Sequence, residues 1–214
     1  MSSAADVPVL AAVPFDPRLA DLIDYHVDSC AAAEEVRRLR TNLQFVELDS
    51  SAGAFVIASA SANEGKTTVC VNLAAALAEY GSRVIVVDAD LRNPSVAEHL
   101  GMSSDIGLSD VLRGAAALSD VVQTSGALAF DVVSSGRTPP NPSELLGSDK
   151  ASSVLSELRN RYDYVLIDSA PVLAVTDAAE VARAVDGVLL VVRSDVTTTR
   201  RLSICIDRLR TAGV

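Results

Sequence analysis

Tryptophan is absent from this 214-residue sequence, and only 4% of its residues are aromatic. With 49% hydrophobic residues, the core must be built from Val, Leu, Ile and Ala. Long apolar runs are missing too. Each run is short and ends at a charge, and none approaches the length of a membrane span. Residues 1–14 lack the basic start and the long apolar stretch of a secretory signal, so the expectation is a soluble, cytoplasmic protein. There is no basic surplus: 18 Lys and Arg face 28 Asp and Glu, for a net charge of −10. That balance argues against a partner made of nucleic acid. Cys30, Cys70 and Cys205 are far apart, with no Cys-x-x-Cys pair, and His26 and His99 stand alone. They read as buried apolar thiols and isolated imidazoles rather than as metal or disulfide sites.

What is present is an alternation of short apolar runs with amphipathic stretches. Strands are predicted at 55–58, 84–87, 165–167 and 188–192, each apolar throughout, as parallel strands covered on both faces are. Helices are predicted at 31–46, 66–80, 108–112, 143–146, 151–161, 176–185 and 198–211. Asp28 or Ser29 is expected to cap the first of these. Gly81 ends the second. The stretch 18–27 carries no clear signal. The fold class is a doubly wound α/β domain with a mostly parallel sheet. Residues 1–30 read as an extended lead-in and 31–214 as the domain. A helix running into Ala212-Gly213-Val214 suggests a further strand beyond it.

The strongest chemical signal is Ala60-Ser61-Ala62-Asn63-Glu64-Gly65-Lys66-Thr67-Thr68, which follows a strand and opens a helix. That is the context of a phosphate-binding loop. Loop N–H groups from 62 to 68 point at phosphate oxygens, and Gly65 removes a Cβ that would block them. Lys66 reaches the β/γ-phosphates and the Thr67 hydroxyl ligates Mg²⁺. Ala60 replaces the usual first glycine. Two other strands end in acids, at Asp88-Ala89-Asp90 and at Asp168. In a parallel sheet these ends share one edge with the loop. Asp88, Asp90 and Asp168 beside a triphosphate suit Mg²⁺, and one of them is placed to take a hydroxyl proton. The expected cofactors are ATP and Mg²⁺. Arg193, just past the last strand, is a further nucleotide-binding candidate.

Together with three other stretches, these motifs make the chain resemble the catalytic domain of a bacterial tyrosine kinase of the capsule and exopolysaccharide type. The three are Val86-Val87-Asp88-Ala89-Asp90-Leu91-Arg92, Leu166-Ile167-Asp168-Ser169-Ala170-Pro171 and Gly136-Arg137-Thr138-Pro139-Pro140-Asn141-Pro142-Ser143-Glu144-Leu145-Leu146. Glu34-x-x-Arg37-x-x-Arg40 adds to the likeness. The resemblance implies ATP-dependent phosphorylation of protein tyrosines between subunits of a ring-like homo-oligomer joined through Glu34, Arg37 and Arg40. It implies Lys66, Asp88 and Asp90 as catalytic residues, with Thr67, Asp88, Asp90 and Asp168 serving the metal. It also implies a transmembrane activator, separate or fused upstream, which places the domain at the inner face of the membrane. Ala62 stands where the family often has proline, and the family's tyrosine-rich tail is absent.

The alternative is a non-kinase ATPase switch of the septum-positioning and partition class. That class carries an extra lysine five places before the main one, where Ser61 stands here. A third reading is a scaffold whose ATP site only stabilises a complex.

Overall fold

A computed structural model describes residues 7–22, 30–46, 53–124 and 129–213. The candidate caps Asp28 and Ser29, and also His26, lie outside these residues. After a 3₁₀ turn at Pro17–Asp21 come α1 (Ala31–Val46), β1 (Gly53–Ser59), α2 (Lys66–Glu79), β2 (Val84–Asp88) and α3 (Val96–Leu100). Next are α4 (Leu108–Leu112), α5 (Leu118–Val121), β3 (Val122–Thr124), β4 (Asp131–Val133), α6 (Pro142–Leu146) and α7 (Asp149–Arg161). The last are β5 (Tyr164–Asp168), α8 (Asp177–Ala182), β6 (Gly187–Val191) and α9 (Thr199–Thr211).

One sheet runs in the order β3-β4-β2-β5-β1-β6. All its pairings are parallel except β3 with β4. The uninterrupted apolar strands serve two cores, because successive side chains point to opposite faces. Phe55, Ile57, Val84, Val86, Tyr164 and Leu166 pack with α1 and α2. Val56, Ala58, Ile85, Val87, Val165 and Ile167 pack on the other side, with α4, α7 and α8. This parity also fixes the acids: Asp88 and Asp168 follow the first set and are paired in register on the α2 side.

The sequence reading misses β3, β4, α3 and α5, each only three to five residues long. The stretch predicted at 176–185 is helical only from Asp177 to Ala182. Gly81 does end α2, with φ +93°, which a side chain would resist. Cys70 and Cys205 are buried and Cys30 half-buried, and all three are free thiols. Among the described residues, no helix is long and apolar enough to cross a membrane.

Candidate functional site

The loop between β1 and α2 owes its shape to two residues with positive φ, Asn63 at 62° and Gly65 at 93°. Asn tolerates the left-handed region better than other side chains, and Gly is indifferent to it. The space beside Gly65 is open, with nothing within 4 Å of a built Cβ. Ala62, Asn63 and Gly65 face solvent, and Thr67 and Thr68 are half-buried at the first turn of α2. The loop therefore presents backbone N–H groups outward at the start of a 14-residue helix, a cradle for an anion.

Two ties from the far end of the chain hold this cradle. Arg193 donates to the Asn63 carbonyl at 3.1 Å. Glu64, expected from its place in the loop to contact nucleotide, turns its side chain inward: it is 4% exposed and accepts from the Ala60 N–H at 3.0 Å. The Thr197 hydroxyl donates to its other oxygen at 2.5 Å. Glu64 thus faces phosphate with its backbone alone.

Lys66 is buried, and its charge lowers the pKa of both Asp90 and Asp168. Asp168 is fully buried and accepts the Thr67 hydroxyl on Oδ2 at 2.5 Å. Its Oδ1 is shielded from solvent and has no partner. A buried carboxylate oxygen left unpaired costs free energy unless something arrives to use it. Desolvation pushes Asp168 up to about 6 despite Lys66. Asp88 is likewise pushed up to about 7, by desolvation first and by Asp168 second. Asp90 also rises, mainly through desolvation.

Asp88 has a structural task besides any chemical one. Its Oδ2 accepts the N–H groups of Ser95 and Val96, both at 3.1 Å, at the start of α3. Its Oδ1 accepts only the Asp90 N–H, at 3.2 Å, and keeps lone-pair capacity. Asp90 accepts from the Asn93 N–H at 3.1 Å and braces the turn after β2. Among the described residues, no three His, Cys, Asp or Glu side chains form a ready metal cluster. The donors nonetheless fit Mg²⁺, which takes few carboxylates and completes its shell with phosphate and water. Asp168 Oδ1 and the Thr67 hydroxyl are the protein groups that would hold it.

The segment 136–146 also reaches this edge, through a partner that the sequence reading did not single out, Asp177. Arg92 donates to both oxygens of the wholly buried Asp177, at 2.8 and 3.3 Å, and to Ser143 Oγ at 3.0 Å. Ser143 in turn donates to Asp177 at 2.6 Å. The proline-rich segment is thereby fastened to the turn that carries Asp88 and Asp90. Gly136 in that segment has φ +71°, and a Cβ there would come within 2.6 Å of Asp110. Only glycine fits.

Glu34, Arg37 and Arg40 lie away from this edge, on α1. Arg37 pairs with Glu34 at 2.6 Å and Arg38 with Glu35 at 2.9 Å, all within the helix. Arg40 turns to α2, donating to the Ala76 carbonyl at 3.2 Å. The face is less openly basic than its composition suggests.

A family model described as an AAA domain matches residues 55–211. The chain is 40% identical over 192 residues to "Tyrosine-protein kinase etk" of Escherichia coli (strain K12), covering 90% of this chain and 26% of that protein. It thus spans about a quarter of the curated relative's length. It is 36% identical over 179 residues to "Tyrosine-protein kinase YwqD" of Bacillus subtilis (strain 168), covering 84% of this chain and 76% of that one. The solved kinase domain of Escherichia coli tyrosine kinase ETK superposes with a TM-score of 0.91 at 37% identity, covering 97% of this chain and 87% of that one. A plasmid partition protein from Borrelia burgdorferi has a TM-score of 0.63 at 20% identity, over 76% of this chain and 75% of that one. That is a likeness of fold alone.

Proposed function

This chain belongs to the bacterial tyrosine-protein kinases, and on that footing we propose that it transfers the γ-phosphoryl group of ATP to protein tyrosines, in the control of capsule or exopolysaccharide synthesis. The observation that carries the chemistry is the unpaired, buried Asp168 Oδ1 beside the Thr67 hydroxyl, at the open phosphate cradle. ATP with Mg²⁺, when bound, supplies the phosphoryl group. The loop N–H groups and Lys66 orient it, and Thr67 and Asp168 hold the cation. Asp88 Oδ1, the oxygen with spare lone pairs, takes the phenolic proton of the acceptor. Asp90 supports the metal side. The test is incubation with ATP, Mg²⁺ and a tyrosine-bearing peptide, followed by mass mapping. Phosphotyrosine on the peptide is expected; ATP hydrolysis without it favours the switch ATPase.

Residues 31–214 would form the kinase domain and 1–30 a lead-in to it. It would act at the inner face of the membrane, raised in activity by a transmembrane partner of the polysaccharide export system. Membranes containing that partner should speed peptide phosphorylation; no change would remove it from the scheme. Copies would assemble into a ring-like oligomer partly through Glu34, Arg37 and Arg40. Exposed ion pairs are weak and screened by salt, so the mass by light scattering should fall as ionic strength rises. It should fall too in a Glu34/Arg37/Arg40→Ala variant. A mass indifferent to both would leave this face merely solvated.

A further inference from the structure

Tyr162 and Tyr164 are buried at 8% and 3% exposure, whereas Tyr80 is 70% exposed. Tyr25 lies outside the described residues. Tyr80 caps the C-terminus of α2 at the tight turn into Gly81. Arg40 of α1 lies over its ring, the guanidinium carbon 4.7 Å from the centroid. Arg40 Nε is shielded from solvent and has no hydrogen-bond partner. An exposed phenol thus sits beside a guanidinium that donates to the Ala76 carbonyl through one nitrogen and has no acceptor at Nε. Such a donor is costly and gains from any anion placed within its reach.

We propose that Tyr80 is a phosphorylation site, modified by a second copy of this chain, and that the Arg40 guanidinium holds the resulting phosphate. The proposal rests on the tyrosine-kinase reading above. The donor must be another copy because α2 separates the two sites. It begins at Lys66 and runs for 14 residues before Tyr80, or about 20 Å at 1.5 Å per residue. Tyr80 therefore stands at the opposite end of the sheet from its own phosphate loop.

In the transfer, Tyr80 Oη forms a bond to the γ-phosphorus as the bond from that phosphorus to the β-phosphate oxygen breaks. The electron pair stays on ADP, and the phenolic proton passes to Asp88 of the acting copy. The phosphate carries nearly two negative charges and stands at the negative end of α2, which disfavours it there. Arg40 offsets that cost through its unused Nε–H and its charge.

The test pairs wild type with a Lys66→Met copy, distinguishable by mass, in the presence of ATP, Mg²⁺ and the tyrosine peptide. Phosphate is expected on Tyr80 of the Lys66→Met copy, at an initial rate that rises with the concentration of either copy. A Lys66→Met/Tyr80→Phe acceptor should lose it. Once formed, phosphotyrosine 80 in an Arg40→Gln background should be removed by a phosphatase about tenfold faster, the value of one charge-assisted contact. Phosphorylated peptide with an unmodified Tyr80 overturns the site and leaves the kinase reading standing. No phosphotyrosine on peptide or protein overturns both. A rate indifferent to dilution overturns transfer between copies, and an unchanged phosphatase rate overturns the role of Arg40.

Discussion

Replacing Lys66 by methionine is expected to lower phosphoryl transfer by roughly two to three orders of magnitude, the usual cost of removing one donor aimed at developing charge. ATP affinity should fall less, by about tenfold, because the backbone N–H groups of the loop remain. The fold should survive, but not at equal stability across pH. Lys66 is the cation that restrains Asp168 and Asp90, both already raised by burial. Without it their folded pKa values climb further. A carboxyl whose folded pKa lies above its unfolded value binds protons more tightly in the native state, so stability falls as pH rises between the two values. The Lys66→Met melting temperature should therefore stay near wild type at pH 5 and drop below it at pH 8. Radiolabel transfer and circular dichroism melts check the two halves separately. An unchanged transfer rate in the folded variant would remove Lys66 from the site.

The parts of this site that the sequence announces are those written in consecutive residues. The phosphate loop is one peptide, and Asp88 and Asp168 are announced by apolar strands that must end on the same edge. The parts it hides are contacts between distant segments. Glu64 meets Thr197 across 133 positions, and Arg92 meets Asp177 across 85. Thr176-Asp177 before an apolar stretch reads as a helix start, and it is one, yet it also buries the partner of Arg92. Nothing local distinguishes a cap from a buried ion pair. The short strands β3 and β4, at one side of the sheet, were illegible for another reason. Val122 and Gln123 are half-buried and Thr124 exposed, and three residues are too few to show either period. The half-buried Cys30 has a local role that its isolation in the sequence does not announce: its carbonyl accepts the Glu34 N–H at 3.0 Å and its Sγ the Ala33 N–H at 3.4 Å at the start of α1.

Replacing Asp168 by asparagine should have opposite effects on stability and on activity. The carboxylate oxygen Oδ2 accepts the Thr67 hydroxyl, and an amide oxygen can take over that bond. The amide nitrogen then falls where Oδ1 now lies without a partner, and its buried N–H donors offset part of the gain from removing the charge. In the absence of nucleotide the wild-type carboxyl has its folded pKa raised from 3.8 to about 6, chiefly by desolvation. Stability contributed by the protonated form is present below pH 3.8 and is lost as pH rises through 6. Asparagine does not titrate, so the variant should be the more stable protein at pH 8, by on the order of 1–3 kcal/mol, and nearly equal to wild type at pH 4. Activity should move the other way. The cation loses its carboxylate, and phosphoryl transfer should fall by about a hundredfold or more, as it does when transition-state charge is left unsupported. Mg²⁺ should also cease to strengthen nucleotide binding, which titration calorimetry with and without the cation reads directly. A variant less stable than wild type at pH 8 that still binds ATP in a Mg²⁺-dependent way would mean that Asp168 braces Thr67 and does nothing more. Higher stability with lost Mg²⁺ dependence would mean that the buried charge is kept, at a standing cost to the fold, for the metal it holds.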